Sequence, residues 1–81
     1  MPRFYFDIRD GGSYHKDEVG LELAGLEQAK EHALKTLPDI ARDDLPEGDR
    51  REFTIEVRDE TGRPVLIARL YLSVERINER L

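Results

Sequence analysis

The sequence predicts an α+β domain in two layers: the element order ββαββ, with a four-stranded mixed sheet and one kinked helix packed on one of its faces. Two observations carry this prediction. Between Leu26 and Leu45 the apolar residues recur at steps of three and four, which places them on one stripe of a helix. The segments on both sides alternate apolar and polar residues, as strands with one buried face do.

Residues 1–25 are predicted to form the first strand pair. The first strand has apolar residues at alternate positions, and Asp10-Gly11 follows it. That dipeptide is favoured in two-residue hairpin turns, because it tolerates positive φ. The return strand, residues 14–23, is interrupted at Gly20, where we expect a bend or a bulge.

The helix is predicted over residues 26–45, with Gly25 as its N-cap. Pro38 lies inside it, where a proline removes a backbone donor and costs roughly 3 kcal/mol. The apolar stripe stays in phase on both sides of Pro38. We therefore expect either one kinked helix or two short helices that share one buried face. Residues 46–52 are predicted to form the loop that follows.

The second hairpin is predicted over residues 53–74, and residues 75–81 are expected to fray. Asp59–Gly62 has the composition of a type I turn with a left-handed glycine. Val57 and Leu66 can point to the same side only across an even number of residues, so a three-residue connection requires a bulge.

A helical crossover makes strands two and three parallel, and each hairpin reverses the chain, so strands one and four should also run parallel. Placing the most apolar strands in the middle of the sheet gives the order 2-1-4-3.

Length and composition indicate one small domain, residues 1–81. Of these residues, 38% are hydrophobic and 38% are charged, and none is cysteine. Without cysteine, neither a disulfide nor a thiolate metal site can form. No apolar run reaches the length of a membrane span, and the N-terminal segment lacks the apolar region of a signal peptide. We therefore expect a cytoplasmic protein.

The charge of the chain is acidic and uneven. The net charge is −5, of which residues 1–49 carry −6 and residues 50–81 carry +1. An acidic chain without a basic run lacks the electrostatic attraction that supplies most non-specific affinity for nucleic acid, and an anionic membrane surface would repel it. We therefore expect neither nucleic acid nor a membrane as a partner.

Four stretches of the chain resemble a family of small bacterial proteins classed as a domain of unknown function. The stretches are Met1-Pro2-Arg3-Phe4-Tyr5-Phe6-Asp7-Ile8-Arg9-Asp10-Gly11, then Gly20-Leu21-Glu22-Leu23, and Phe53-Thr54-Ile55-Glu56-Val57-Arg58-Asp59 with Gly62-Arg63-Pro64-Val65-Leu66. The chain departs from the family pattern at Gly25, where an aspartate N-cap is usual, and at Pro38, where alanine is commoner. The resemblance implies a bacterial, cytosolic origin and supplies no catalytic residues.

Candidate chemistry is sparse. His15 and His32 are the only histidines, and no further ligands lie at metal-binding spacing around either, so we interpret both as structural. Four carboxylates cluster around the first hairpin: Asp7, Asp10, Asp17 and Glu18. They could offer oxygen ligands to a hard cation, but their spacing is not that of a calcium loop, and a solvated acidic turn explains them more simply.

The leading hypothesis is a non-catalytic module that binds another protein or a second copy of itself. Four residues are predicted to form its interaction surface on the sheet face away from the helix: Tyr5, Ile67, Arg69 and Tyr71. Tyrosine and arginine are enriched at interfaces. The last strand also outruns its predicted partner, which leaves an overhang, residues 71–74, for the first strand, another chain or water.

The alternative is a ligand- or metal-responsive accessory domain that uses the acidic first hairpin. An enzyme is not expected, because no base, nucleophile and orienting group can be named together, and no cofactor is predicted.

Overall fold

A computed structural model of the chain describes residues 1–43 and 50–78. The elements in chain order are strands β1 (Arg3–Asp10), β2 (Ser13–His15) and β3 (Leu21–Glu22), helix α1 (Leu26–Asp43), and strands β4 (Arg50–Arg58) and β5 (Pro64–Ser73). Helix α1 packs on one face of the sheet, so the predicted α+β class is confirmed.

The sheet differs from the predicted one in its pairing. Its order is β2-β1-β4-β5, with β3 also paired to β1, and every described pairing is antiparallel. In the described part of the chain the sheet is therefore not mixed, and it has five strands because the return strand is split into β2 and β3. The third and fourth predicted strands are β4 and β5, so the observed order is 2-1-3-4 in the predicted numbering. The predicted order 2-1-4-3 is wrong, since the first strand lies beside β4 and leaves β5 at the edge.

The predicted strand directions are nevertheless right. Strands β2 and β4 are both antiparallel to β1, so they run parallel to each other, with β1 between them. The error lay in placing the most apolar strand at the centre. A row of apolar residues indicates that one face of a strand contacts the helix, and an edge strand such as β5 can make that contact as well as a central one. The central strand β4 is more deeply buried, and its Phe53, Ile55 and Val57 are fully covered.

The first hairpin turns one residue later than predicted. Asp10 pairs with Ser13, so the two-residue loop is Gly11-Gly12 and not Asp10-Gly11. Gly11 has a φ of 58°, the left-handed conformation that a tight hairpin turn requires. The expected bend at Gly20 is present, with a φ of 75°.

Helix α1 runs unbroken through Pro38, so the alternative of two short helices is not observed. The carbonyl of Gly25 accepts the first helical hydrogen bond from Ala29 N at 3.1 Å, as an N-cap does. The buried stripe consists of Ala29, Ala33, Leu37 and Ala41. Residues 44–45 of the predicted helix lie outside the described residues. Within the described residues, no helix combines the length and the apolarity needed to span a bilayer.

The second hairpin has the predicted turn. Gly62 has a φ of 87°, and its N–H donates to the Asp59 carbonyl at 3.0 Å. The expected bulge is present, as a register shift between Val57 and Arg58. Strand β4 begins at Arg50, inside the predicted loop, and residues 46–49 of that loop are not described. In the predicted tail, residues 75–78 form neither helix nor strand, and residues 79–81 lie outside the described part.

Candidate interaction surface

Three of the four predicted surface residues form a row on β5. Ile67 and Tyr71 are 45% and 55% exposed, and Arg69 lies between them with its Nε 3.6 Å from Glu52 Oε1. They alternate with half-buried residues that face the helix, so the row lies on the outer sheet face. Strand β5 ends the sheet order, and none of the described residues pairs with its outer edge.

Tyr5 lies on the same face but not in this row. It belongs to β1, and the central strand β4 separates it from β5. Its ring is 5.0 Å from the Arg58 guanidinium carbon, on the strand between. The structure therefore brings Ile67, Arg69 and Tyr71 together and places Tyr5 two strands away.

The expected overhang of the last strand is absent. Because β4 begins at Arg50, it pairs Tyr71 with Glu52 and Ser73 with Arg50. Only Val74 extends past the last pair, and it lies outside β5. Among the residues that the structure describes, the unpaired backbone is therefore the whole outer edge of β5 rather than one end of it.

Beneath Tyr5, the outer face holds an ion pair that the sequence did not reveal. The Asp7 side chain is 1% exposed, and Arg58 Nε donates to its Oδ2 at 2.5 Å. Arg58 Nη2 donates to Asp7 Oδ1 at 3.0 Å and to the Asp17 carbonyl at 2.9 Å. Asp17 N donates to Asp7 Oδ1 at 2.9 Å. This cluster ties β1, β4 and the segment between β2 and β3 together.

The electrostatics of this cluster favour the charged forms. Burial raises the pKa of Asp7, but hydrogen bonds from Arg58 and from the Asp17 amide outweigh it, so the pKa lies below the ordinary value. Burial also raises the pKa of Asp17, but hydrogen bonds from three backbone N–H groups outweigh it, so this pKa is lowered as well. The hydrogen bond to Asp7 raises the pKa of Arg58. Both carboxylates and the guanidinium are therefore held ionised.

Asp17 replaces a missing stretch of strand. Its Oδ2 accepts from Phe6 N at 3.0 Å, and its Oδ1 accepts from Val19 N and Gly20 N, each at 3.0 Å. A side-chain oxygen thus satisfies a β1 donor where the return strand is interrupted. Gly20 is required there, since a Cβ would lie 2.9 Å from both Arg3 Cγ and Tyr5 Cε1.

Three of the four carboxylates considered for cation binding have other partners. Asp7 and Asp17 belong to the cluster with Arg58, and Asp10 Oδ1 lies 2.6 Å from Arg51 Nη2. Of the residues that the structure describes, no three acidic, histidine or cysteine side chains converge on a possible metal position. The contacts made by these carboxylates stabilise the hairpin.

Both histidines line one groove, although the sequence predicts that they lie in separate elements. Helix α1 packs mainly over β4 and β5, and beside it opens a groove of about 470 Å³. The His32 ring meets Phe6 edge-on, with 4.8 Å between ring centroids, and His15 lines the groove from β2. A helix is about two strand spacings wide, so one helix leaves part of a four-strand-wide sheet uncovered.

Opposed arginine and tyrosine side chains recur across the outer face. Arg9 pairs with Tyr14 across β1 and β2, and the guanidinium carbon lies 4.9 Å from the ring centroid. Tyr5 pairs with Arg58 across β1 and β4 in the same manner. Sequence reasoning missed both pairs, because they depend on a register that alternation alone does not determine.

Over residues 1–43 and 50–78, the fold and this surface define a small α+β domain with one helix on an antiparallel sheet that keeps one long edge open. The chain belongs to the family described as a domain of unknown function (DUF6894), whose model matches residues 3–71. The resemblance to a domain-of-unknown-function family is thereby confirmed. Searches of curated proteins and of solved structures give no match.

Proposed function

We propose that this domain is a non-catalytic protein-interaction module that binds an extended segment of another polypeptide along the outer edge of β5. One observation carries the proposal: β5 is a ten-residue strand at the end of the sheet, with exposed apolar side chains on its outer face. An edge strand presents a row of N–H and C=O groups that another strand can pair with.

The sequence of β5 supports this role, because most of the strand lacks the features that normally protect an edge. Proteins blunt edges with lysine, proline, bulges, short strands or a covering element. In β5 the proline and the bulge both lie at the start of the strand. Pro64 is its first residue, and the bulge lies opposite Val57 and Arg58 of β4. From Leu66 to Ser73 the strand has one charged residue, Arg69, and no lysine. This stretch can accept a partner strand.

The remaining chemistry supports a binding role over a catalytic one. Shifted pKa values often mark catalytic groups, but structural ion pairs shift them as well. Here the shifted carboxyls of Asp7 and Asp17 are bonded to Arg58 and to backbone amides, which is a structural use. We place the module in the cytoplasm, as the resemblance to the bacterial family implies.

The test replaces the exposed apolar row by charge. In Ile67→Lys combined with Tyr71→Glu, two side chains beside the free edge become charged, which should prevent strand addition. The matched control combines Val19→Lys with Leu21→Glu, since both residues are exposed and lie in or beside β3, away from β5. Far-ultraviolet circular dichroism must show that both variants keep the wild-type fold.

Association is measured by analytical ultracentrifugation and by capture from native lysate, with each captured complex rebuilt from purified components. The proposal expects a rebuilt complex that forms with the wild type and the control but not with the β5 variant. A complex that survives the β5 substitutions, or the absence of any complex, contradicts it.

A further inference from the structure

We infer that the partner at β5 is a second copy of this chain, paired antiparallel about a two-fold axis that passes through Leu70. This inference rests on the proposed function and names its partner and register. Two copies joined in this way would form one continuous sheet, with both helices on the same face.

The first argument comes from the arginine–tyrosine pairs. The chain opposes arginine and tyrosine twice on the outer face, and both contacts have cation–π distances. On β5, Arg69 and Tyr71 face Thr54 and Glu52 across the neighbouring strand, so neither is opposed by such a partner. Because Arg69 and Tyr71 lie two residues apart on one face, an antiparallel copy centred on Leu70 brings Arg69 opposite Tyr71 of the partner subunit.

The second argument concerns the register. A two-fold axis centred on a residue places outer-face side chains opposite outer-face side chains. A shift of one residue in the pairing would place outer-face side chains opposite helix-facing ones. An axis at Arg69 would oppose two like charges, which is destabilising. An axis at Tyr71 would place Arg69 opposite Ser73 of the partner subunit and lose both arginine–tyrosine pairs. The axis at Leu70 forms both pairs and opposes no like charges.

The helix-facing side of β5 fits the same register. Its residues Leu66, Leu70 and Leu72 are only partly buried within one chain. Centred on Leu70, the pairing opposes Leu70 to its own copy and Ala68 to Leu72 of the partner subunit. These contacts are apolar, and they cover side chains that the single helix leaves half-exposed.

The third argument comes from the helix. Because α1 packs over β4 and β5, two copies joined at β5 would place their helices about two strand spacings apart, roughly 10 Å. Packed helices lie about 8–10 Å apart. His32 and Thr36 lie on the groove side of the stripe, and Leu34 lies on the opposite side, with 53% of its surface exposed. That exposed leucine would contact the helix of the second copy.

The register is tested by single cysteines, since the chain has none of its own. Opposed Cα atoms of antiparallel strands lie about 4.5–5.5 Å apart, within the range of a disulfide. Under mild oxidation Leu70→Cys should therefore give a covalent dimer. Ala68→Cys and Leu72→Cys should each stay uncrosslinked, because their own copies are four residues apart, roughly 13 Å. An equal mixture of these two variants should crosslink.

Two further measurements keep the outcome clear. Leu34→Lys should weaken the wild-type dimer about tenfold in analytical ultracentrifugation, by removing an apolar contact between helices. The matched control Leu21→Lys, on the far side of the sheet, should leave the dimer unchanged. If Leu70→Cys fails to fold, the mixture of Ala68→Cys and Leu72→Cys decides the register.

The results separate this inference from the proposed function. A wild-type monomer at every concentration, together with a different partner that is lost in the variant Ile67→Lys with Tyr71→Glu, overturns the inference and supports the function. A dimer that crosslinks through Ala68→Cys alone, or that tolerates Leu34→Lys, also overturns it. If neither self-association nor any partner is found, both fail.

Discussion

Asp7→Asn tests whether the buried ion pair holds the sheet to its interrupted return strand. The substitution keeps the size of the side chain but removes the charge that Arg58 pairs with. It leaves a largely covered guanidinium without its carboxylate and weakens the acceptor of Asp17 N. We expect the domain to remain folded at pH 7 with a clearly reduced free energy of unfolding.

The magnitude follows from burial. Breaking a fully buried ion pair by changing one partner costs roughly 3–5 kcal/mol, because the remaining charge is uncompensated. The Asp7 side chain is 1% exposed, but Arg58 is 18% exposed, so water can partly solvate the guanidinium. We therefore expect a loss of about 3 kcal/mol, a large share of the roughly 5–15 kcal/mol that stabilises a typical domain.

The same pair predicts a dependence on pH. The pKa values of Asp7 and Asp17 are lower in the folded chain than in the unfolded chain, so the unfolded state binds protons first on acidification. Their contribution to the free energy of unfolding is fully present well above the unfolded-state pKa of about 3.9. It is lost as the pH falls through the lower pKa values of the folded state. As the pH is lowered from 5, the free energy of unfolding of Asp7→Asn should therefore fall by less than that of the wild type.

The assay is urea unfolding followed by circular dichroism at one low protein concentration, at several pH values. Asp7→Leu combined with Arg58→Met removes both charges, and it should recover much of the loss, because no uncompensated buried charge is then left. Ile77→Asn is a surface control that should change little, because Ile77 is 99% exposed. A loss below about 0.5 kcal/mol for Asp7→Asn, or an unchanged pH profile, would refute the structural role of the pair.

Three shorter predictions concern the core, the proline and the acidic hairpin. Leu37→Ala removes a buried side chain from the helix stripe and should cost roughly 2–5 kcal/mol in the same unfolding assay. Pro38→Ala should raise the thermal midpoint, because α1 is continuous there and regains a backbone donor; a lower midpoint contradicts this. Calorimetric titration with calcium, magnesium, manganese and zinc should show no site tighter than the roughly millimolar range, because Asp7, Asp10 and Asp17 are paired.

Local patterns in the sequence were enough to predict most elements. The helix stripe, the Gly25 N-cap and the turn before Gly62 depend on residues a few positions apart, and all three occur in the structure. The bulge between Val57 and Arg58 was also predictable, because side-chain parity across a short loop is a local constraint. These features need no knowledge of which strands are neighbours.

The order of the strands could not be obtained in this way. Alternation shows which face of a strand is buried, but it does not show which strands lie on either side. Strand β5 has a longer apolar row than β4, yet β4 is central and fully buried. Helix α1 covers β4, and β1 and β5 flank it on both edges; no residue of the β4 sequence shows which strands these neighbours are.

The candidate surface shows the same limit. Ile67, Arg69 and Tyr71 were predictable as a group because they share one strand and one face. Tyr5 was grouped with them on facing alone, and the strand order separates it. The cluster of Asp7 with Arg58 joins residues 51 positions apart, so it depended on the pairing of β1 with β4 that the predicted order had excluded.

Self-association also predicts how thermal stability depends on protein concentration. A dimer that forms only from folded chains raises the midpoint as concentration increases. Wild type should show this rise, whereas Ile67→Lys with Tyr71→Glu should not, because the exposed row would no longer pair. At the lowest concentration the two midpoints should agree, since both side chains are about half-exposed within one chain and contribute little to its core. If the variant already melts lower there, these residues stabilise the single chain, and its loss of association would be a consequence of unfolding rather than of a blocked edge.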